Sequence, residues 1–284
     1  MKRFKKQYHN YNEILLFREG FFLLLLSLLS LSSSSQNKSF PFIPNEIVSY
    51  EINYNWGFIW VSAGEVSFSV KSSEVYGKPA LTLTGEGKTF PKYDWFYKVR
   101  DIYESKVDAQ TLRPYSFIRD VNEGKSQINN AYVFNHPKNE AYSIIRQQDG
   151  SFKKDTIEFP LETYDVISMI YKSRCIDFSQ YKKDDKIPIK ILLDNAVYDT
   201  YIRYFGIETI DFRGIAPIKC HKFKPYLIEG TIFTGGEDMT VWVTADENKI
   251  PIYIESKILV GNIKAVLTGT TGLKYPKQYM LPQD

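Results

Sequence analysis

The sequence predicts a mainly β fold, in which one long curved antiparallel sheet forms an open barrel or half-barrel with one amphipathic helix near residues 163–175. Stretches that alternate apolar with polar residues recur along most of the chain, as expected for half-buried strands. Turn-forming residues separate these stretches at short intervals, which is typical of hairpins and meanders. Tyr, Phe, Ile, Val and Thr dominate the stretches, and these residues suit a pleated surface. A sheet with many strands twists and curls.

The alternating stretches lie at residues 47–54, 65–70, 81–84, 131–134 and 142–145. Gly, Pro, Asn and Asp cluster between or beyond them, at residues 76–79, 135–139, 148–150, 235–236 and 261–262. These residue types supply the backbone conformations that tight turns need. We therefore expect one antiparallel β domain over residues 36–284, with no linker that divides it.

Residues 163–175 break the strand pattern. The apolar residues fall at Val166, Ile167, Ile170 and Tyr171, which is the spacing of one helix face. Asp165 suits the positive first turn of such a helix, and Thr163 can cap it. We expect this helix to plug one end of the curved sheet. An ion pair between Asp165 and Arg174 would close the helix against the sheet, and ligand contact by these two residues is the alternative.

A weak internal repeat flanks the helix. Gly77 to Pro114 and Gly214 to Pro251 have the same spacing of 37 residues, and each includes an Asp-led turn before the proline. A proline is tolerated at the start of a strand. The repeat predicts two meanders joined into one sheet through the helix, and coincidence between common turn residues is the alternative.

Residues 1–35 have the order of a secretory signal peptide. Basic residues precede an apolar run at residues 21–31, and serines follow it. A membrane anchor is the alternative, but a helical span needs about 20 apolar residues. We expect a cleaved leader and export to the periplasm or the periplasmic face of the outer membrane of a Gram-negative bacterium. A retained leader is the minor alternative.

The net positive charge of the chain comes from this leader. Residues 1–35 hold five of the 36 Lys+Arg and two of the 33 Asp+Glu, which leaves 31 of each in the rest of the chain. The mature part is therefore neutral, and its composition gives no reason to expect nucleic acid as a partner.

Several short motifs carry a family resemblance. They are Tyr54-x-Trp56-Gly57-Phe58, Ala63-Gly64, Asp101-x-Tyr103, residues 108–114 with Phe117, Tyr164-Asp165, Arg174, Gly214, Val241-Trp242-Val243 and residues 246–251. In order and spacing they resemble the DUF3108 family of exported bacterial proteins. The resemblance implies an envelope location and a mainly β fold, and it brings no catalytic residues to carry over. Curved half-barrels of periplasmic lipoprotein carriers are an analogy of fold only.

The residues that usually carry catalysis are sparse. His136 lies in a turn, and His221 follows Cys220 on a predicted strand, where adjacent side chains point to opposite faces. No nucleophile elbow, zinc-binding helix motif or phosphate-binding glycine loop is present in the sequence. The acidic pairs Asp101 with Glu104 and Glu237 with Asp238 are better explained as surface charges than as a glycosidase pair. We expect no enzyme, no cofactor and no metal.

The two cysteines of the chain, Cys175 and Cys220, leave two alternatives open. In an oxidising compartment they can form one disulfide, and they can equally be two buried free thiols.

Clustered aromatic residues suggest a binding site. Trp56, Phe58 and Trp60 recur at every second position, so we expect them on one strand face, and Trp95 and Phe96 lie in a second cluster. Most of these rings should fill the core, but a curved sheet can enclose an apolar cavity with aromatic residues at its mouth. The predicted ligand-binding residues are Trp56, Phe58, Trp60, Trp95, Phe96 and Tyr171.

The sequence therefore favours a non-catalytic protein of the cell envelope that binds or carries a lipid or another apolar small molecule in the concave face of its sheet. Sugar stacking on tryptophan is a variant of this hypothesis. A structural or assembly partner of an outer-membrane protein complex is the alternative, and an exposed apolar patch or an unpaired sheet edge would mark it. An envelope enzyme is the third hypothesis, and it needs ionisable groups that converge in a cleft.

Overall fold

The computed structural model describes residues 39–276 apart from residues 57–58, 148, 214, 230–234 and 259–260. The predicted leader lies outside the described residues. The strands are β1 (Ile47–Trp56), β2 (Ile59–Val75), β3 (Lys78–Thr89), β4 (Val99–Asp108), β5 (Pro114–Glu123), β6 (Ser126–Asn135), β7 (Glu140–Arg146), β8 (Phe152–Glu158), β9 (Thr163–Tyr164), β10 (Lys186–Leu193), β11 (Ala196–Phe212), β12 (Ile215–Pro225), β13 (Met239–Thr244), β14 (Pro251–Lys257) and β15 (Asn262–Thr271). The helix α1 spans Val166–Arg174, and two 3₁₀ turns span Pro91–Tyr93 and Phe178–Gln180.

All of these strands form one sheet in the order β8-β7-β6-β5-β4-β3-β2-β1-β15-β14-β13-β12-β11-β10-β9. Neighbouring strands are antiparallel except β9 and β10, which are parallel. The predicted fold class is confirmed, because the chain forms one large curved sheet with one α-helix among the described residues. Two meanders, β1 to β8 and β10 to β15, build this sheet.

The two meanders join differently from the prediction. They meet where β1 pairs with β15, at the centre of the sheet. The chain passes from β8 to β9, the two edges of the sheet, through residues 159–162, and α1 follows β9 and leads to β10. The proposed repeat does correspond to equal element orders, since Pro114 begins β5 and Pro251 begins β14, each after two antiparallel strands and an Asp-led turn. In both turns the Asp carboxylate accepts hydrogen bonds from two backbone N–H groups: Gln110 and Thr111 for Asp108, and Asn248 and Lys249 for Asp246.

The helix α1 packs onto the inner face of the sheet. Its buried residues Ile167 and Tyr171 join a core with Leu83, Val107 and Phe117 from β3, β4 and β5. At Gly85 of β3, an added Cβ would lie 3.1 Å from Cδ1 of Ile167, so the helix approaches the sheet backbone closely. The helix therefore fills the curve of β3 and β4 and does not merely plug one end.

The predicted ion pair between Asp165 and Arg174 is wrong. Asp165 is the N-cap residue of α1, and its carboxylate accepts from the backbone N–H of Ser168 at 2.9 Å and from the hydroxyl of Ser105 at 2.6 Å. Arg174 is the last residue of the helix, about 13 Å away at 1.5 Å per residue. Its guanidinium pairs with Glu46, which precedes β1.

The two halves of the sheet face each other at the hairpin between β10 and β11. Asp194 in its turn forms an ion pair with Arg119 of β5. Asn195 donates its backbone N–H to the hydroxyl of Tyr132 at 3.1 Å and accepts a hydrogen bond from Ser143 at 2.7 Å. Because these partners lie on the inner face of β5 to β7, the sheet curls far enough for its far strands to meet.

The Ala63-Gly64 pair has a steric reason. The backbone N–H of Phe90 donates to the carbonyl of Ala63 at 3.0 Å, and a Cβ on Gly64 would overlap the carbonyl oxygen of Lys88 in the neighbouring strand. We expect Gly64→Ala to lower the free energy of unfolding by about 1–3 kcal/mol, because the sheet must open to admit the methyl group.

Urea denaturation measures this change, and Gly87→Ala is the matched control. A Cβ at Gly87 meets its nearest heavy atom at 3.6 Å, an ordinary contact. Equal effects of the two substitutions would show that the close approach of the Lys88 carbonyl is not the reason why position 64 requires glycine.

Candidate functional site

One end of the sheet carries a group of exposed apolar side chains. Antiparallel pairing brings the start of β2, the connection between β3 and β4, and the turn between β14 and β15 to this end. We call Ile59, Trp60, Trp95, Phe96 and Tyr97 the aromatic rim. The hydrogen bond from Phe90 to Ala63 ties the β3–β4 connection to β2 beside it.

The aromatic rim exposes large apolar surfaces to solvent. Trp95 is 82% exposed, Ile59 is 68% exposed and Phe96 is 59% exposed. The rings of Trp95 and Phe96 contact each other edge to face, with centroids 5.9 Å apart. Single exposed apolar residues are ordinary, but a group of this size commonly marks a binding surface.

Lysines lie beside the rings. The ammonium of Lys264 is 4.3 Å from the centroid of the Trp60 ring, and that of Lys92 is 4.9 Å from the Tyr93 ring. Both distances are within the range of a cation–π contact. Lys98 follows Tyr97 directly in the sequence. Lys264 also forms an ion pair with Glu255 at 3.0 Å. The aromatic rim therefore combines apolar surface with neighbouring lysine side chains.

The acidic residue of the β3–β4 connection is neutralised locally. Asp94 forms an ion pair with Arg100 at 2.7 Å and accepts a hydrogen bond from the hydroxyl of Thr89 at 2.8 Å. These hydrogen bonds, that of Arg100 first, lower the pKa of Asp94. The same Thr89 hydroxyl accepts from the backbone N–H of Val99 at 3.1 Å, which fixes the two ends of the connection to each other.

Tyr97 anchors the connection to the next hairpin. Its ring lies over Gly124 in the turn after β5, where an added Cβ would be only 2.9 Å from the ring. Burial and then the charges of Glu123 and Asp101 raise the pKa of Tyr97. Burial, and then repulsion by the nearby carboxylate of Asp101, likewise raise the pKa of the Glu123 carboxyl. Tyr97 of the aromatic rim therefore packs beside the partly buried carboxyl groups of Glu123 and Asp101.

The predicted site residues divide into three groups. Trp60, Trp95 and Phe96 lie at the same end of the sheet, Trp60 in β2 and the other two in the β3–β4 connection. Phe58 and the side chain of Trp56 lie outside the described part of the chain. Trp56 pairs across the hairpin with Ile59, so Trp56 belongs to β1 and Trp60 to β2. That residues 56, 58 and 60 share one face stays a prediction, because two of these three side chains lie outside the described residues.

Tyr171 lies in the core and away from the rim. It is 1% exposed, and its ring meets Phe42 edge to face at 4.8 Å. Its hydroxyl is buried and makes no hydrogen bond within the described residues. Burial raises its pKa well above the ordinary value for tyrosine. Tyr171 supports the packing of α1 and does not share a surface with Trp60, Trp95 or Phe96.

The concave face of β2 to β7 is occupied by the protein itself. The helix α1 and the core residues around Phe117 and Tyr132 fill it. A depression of about 490 Å³ lies elsewhere on the sheet, and polar and charged residues such as Glu86, Lys88 and Arg100 contribute much of its lining. Within the described residues, α1 and this core therefore occupy the concave face beside β3 to β5, whereas the aromatic rim is exposed to solvent.

The histidines and cysteines are engaged in structural contacts. His221 hydrogen-bonds the hydroxyl of Tyr204 at 2.9 Å and stacks on Phe178 at 4.6 Å. Burial lowers the pKa of His221 and raises that of the neighbouring thiol of Cys220 to about 12. His136 contacts the carbonyl of Pro114 at 2.8 Å. Cys175 and Cys220 are not joined by a disulfide, which decides between the two alternatives left by the sequence.

Two further findings bear on function. Within the described ranges, no group of three or more His, Cys, Asp or Glu side chains is placed to hold a metal ion. Among those same residues, no helix has both the length and the apolar character needed to cross a bilayer.

Sequence reasoning missed Ile59 and Lys264 as parts of the rim. Ile59 is an ordinary strand residue in sequence, and Lys264 reaches Trp60 only through the pairing of β1 with β15. A bulky apolar pair directly after a hairpin turn was the available signal for Ile59, since turn-flanking positions tend to be exposed.

These features define a class of barrel-like β proteins built from a single curved sheet. A crystal structure of a beta-barrel-like protein of domain of unknown function DUF1849 from Brucella abortus has a similar fold, with a TM-score of 0.54, and the match covers 82% of this chain and 99% of that one. At 6% sequence identity the likeness concerns the fold alone. The chain belongs to the DUF3108 family, described as proteins of unknown function, whose model matches residues 49–268. No sequence among the curated proteins matches this chain.

Proposed function

We propose that this protein is a non-catalytic protein of the cell envelope that binds lipid or another apolar ligand through its aromatic rim. The single observation that supports this function is the exposure of Trp60, Trp95 and Phe96 at one end of the sheet, next to lysine side chains. The expected ligand is unchanged from the sequence analysis, but the expected site moves from the concave face to the rim.

The chemistry of the rim suits the boundary between lipid headgroups and acyl chains. Tryptophan and tyrosine present an apolar body with one polar group, and they are enriched at that boundary. Lysines place their apolar stems along the same surface and keep the ammonium near anionic headgroups. Burying one large aromatic side chain contributes about 1.5–3 kcal/mol. Two or three such side chains suffice for reversible binding.

The envelope location is the part of the proposal that depends on residues 1–35. Their order of basic, apolar and small residues supports export. Fractionation of a Gram-negative host that expresses the full chain tests this. We expect a processed protein in the periplasmic or outer-membrane fraction, and an unprocessed cytosolic protein would contradict it.

Replacement of the exposed rings tests the binding surface. We expect the double variant Trp95→Ser/Phe96→Ser to lose at least about tenfold in affinity for vesicles of phosphatidylethanolamine and phosphatidylglycerol, because two apolar anchors are removed. Co-sedimentation measures the affinity. In the unsubstituted protein, a blue shift of tryptophan fluorescence on vesicle addition is a second readout.

The matched control is Tyr76→Ser. Tyr76 is 87% exposed in the turn between β2 and β3, at the opposite end of the sheet. We expect this variant to bind vesicles like the unsubstituted protein. Equal binding by all three proteins, or no binding by any of them, would overturn the proposed function.

A further inference from the structure

The strand β8 ends the sheet on one side and presents a free edge. It is the first strand in the sheet order, and β7 is its neighbour. All but one of its residues are exposed. The turn between β10 and β11 touches only its inner face, where Asn195 lies 3.5 Å from Asp155. The outer edge of β8 is thus accessible to another strand, which is one of the two marks of an assembly role.

The hydrogen-bonding positions of this edge follow from the ladder with β7. Phe159 donates to Asn139 and Gln147 donates to Ser151, so odd-numbered residues of β8 face β7. The backbone groups of Lys154, Thr156 and Glu158 therefore point away from the sheet. The N–H of Thr156 is held by the carboxylate of its neighbour Asp155 at 2.9 Å and is not part of the β7 ladder.

The charges of this edge are self-complementary. If β8 pairs antiparallel with β8 of a second copy about Thr156, Lys154 of each copy lies opposite Glu158 of the other. Opposite charges at directly paired positions are stabilising. A shift by two residues in one direction would place Asp155 opposite Asp155, which is unfavourable. A shift by two in the other direction would place Lys154 opposite Pro160 and lose both ion pairs. The charge pattern therefore favours the register about Thr156.

The surroundings of Glu158 favour an ion pair with a lysine of a second copy. Within its own sheet it pairs with Glu140, so two carboxylates lie side by side. Lys154 pairs with the apolar Ile144 and makes no ion pair within the described residues. In the register about Thr156, the Lys154 ammonium of one copy would lie opposite Glu158 of the other and would offset the negative charge of Glu158 and Glu140.

Exposed apolar residues flank the charged centre. Phe152 is 64% exposed at the start of β8, and Leu161 is 60% exposed just after its end. The same register sets Phe152 of one copy beside Pro160 and Leu161 of the other. An edge lysine discourages pairing with arbitrary strands, so a partner must supply an acidic residue at the matching position.

We propose that this protein forms a twofold-symmetric dimer in which β8 pairs with β8 of a second copy about Thr156. The pairing continues the sheet across the axis with about six backbone hydrogen bonds. Two of them require the N–H of Thr156 to exchange the carboxylate of Asp155 for the carbonyl of the second copy. This inference is independent of lipid binding, because β8 contributes nothing to the aromatic rim.

Charge reversal tests the register. Sedimentation velocity over a range of concentrations should show a reversible dimer of the unsubstituted protein. We expect Lys154→Glu and Glu158→Lys each to raise the dimer dissociation constant about tenfold or more, because two like-charged pairs replace two ion pairs. An equimolar mixture of the two variants should recover the dimer, since each variant then faces its opposite charge.

Lys153→Glu is the matched control, because this substitution makes the same change of charge but on the inner face of β8. We expect it to leave the dissociation constant nearly unchanged. A monomer at all concentrations, a dimer that is insensitive to both reversals, or a mixture that stays monomeric would each overturn the proposal. An equal loss in the Lys153→Glu variant would assign the effect to net charge and would also overturn it.

Discussion

Glu46→Gln is expected to lower the free energy of unfolding by about 3–5 kcal/mol, because it leaves the guanidinium of Arg174 buried without a counter-charge. Glu46 has no exposed surface, and Arg174 is 5% exposed. The Nη2 of Arg174 donates to Oε2 of Glu46 at 3.1 Å and to the carbonyl of Asn248 at 2.9 Å. The pair thus ties the segment before β1, the end of α1 and the turn before β14. Urea denaturation monitored by circular dichroism measures the loss.

A surface pair provides the control for this experiment. Glu65 and Lys88 form an ion pair at 2.8 Å, but both side chains are about half exposed. Exposed pairs contribute about 0–1 kcal/mol, so Glu65→Gln should have a small effect. A loss at Glu46 no larger than that at Glu65 would contradict the assignment. The double variant Glu46→Leu/Arg174→Met should recover much of the stability, since it removes both buried charges.

Asp165→Asn is expected to remove a pH-dependent part of the stability. Burial raises the pKa of Asp165 to about 6, although hydrogen bonds from Ser105 and Ser168 oppose this. The carboxyl of an unfolded aspartate has a pKa of about 3.9. Between these values the folded state binds the proton more strongly. The contribution of Asp165 is therefore fully present below about pH 4 and is lost as the pH rises through about 6.

The asparagine variant does not titrate, and it can still accept the hydrogen bond from the backbone of Ser168. Its stability relative to the unsubstituted protein should therefore rise by about 2 kcal/mol between pH 4 and pH 7. Chemical denaturation at several pH values measures the difference. Asp149→Asn is the control, because the hydrogen bonds of Ser151 lower the pKa of that exposed carboxylate and reverse the sign. A difference that does not change with pH would contradict the raised pKa.

The sequence predicted what depends on local periodicity. Alternating side chains indicated the strands, and the helix expected at residues 163–175 is observed at Val166–Arg174. The equal spacing from Gly77 to Pro114 and from Gly214 to Pro251 foreshadowed two meanders with the same order of elements. These features depend on the spacing of residues that lie close together in the sequence, because that spacing decides which side chains share one face of a strand or helix.

The remaining features depend on contacts between distant residues. Glu46 and Arg174 are 128 positions apart, and nothing local to either residue indicates the other. The alternation of aromatic residues runs across the hairpin between β1 and β2, so periodicity alone does not show that Trp56 and Trp60 belong to different strands. The sequence analysis assigned Trp60, Trp95 and Phe96 to the mouth of a cavity, because the sequence does not show that α1 packs against the concave face.

The pairing of β1 with β15 has a consequence for how the molecule folds. Each meander can assemble from consecutive hairpins, which close short loops quickly. The seam at the centre of the sheet, however, unites the first and last strands of the domain, and it cannot form until the whole chain is available. Until then β1 and β15 are both open edges. We expect the joining of the two halves to be the slow step, and the half-assembled chain to be the species most prone to aggregation.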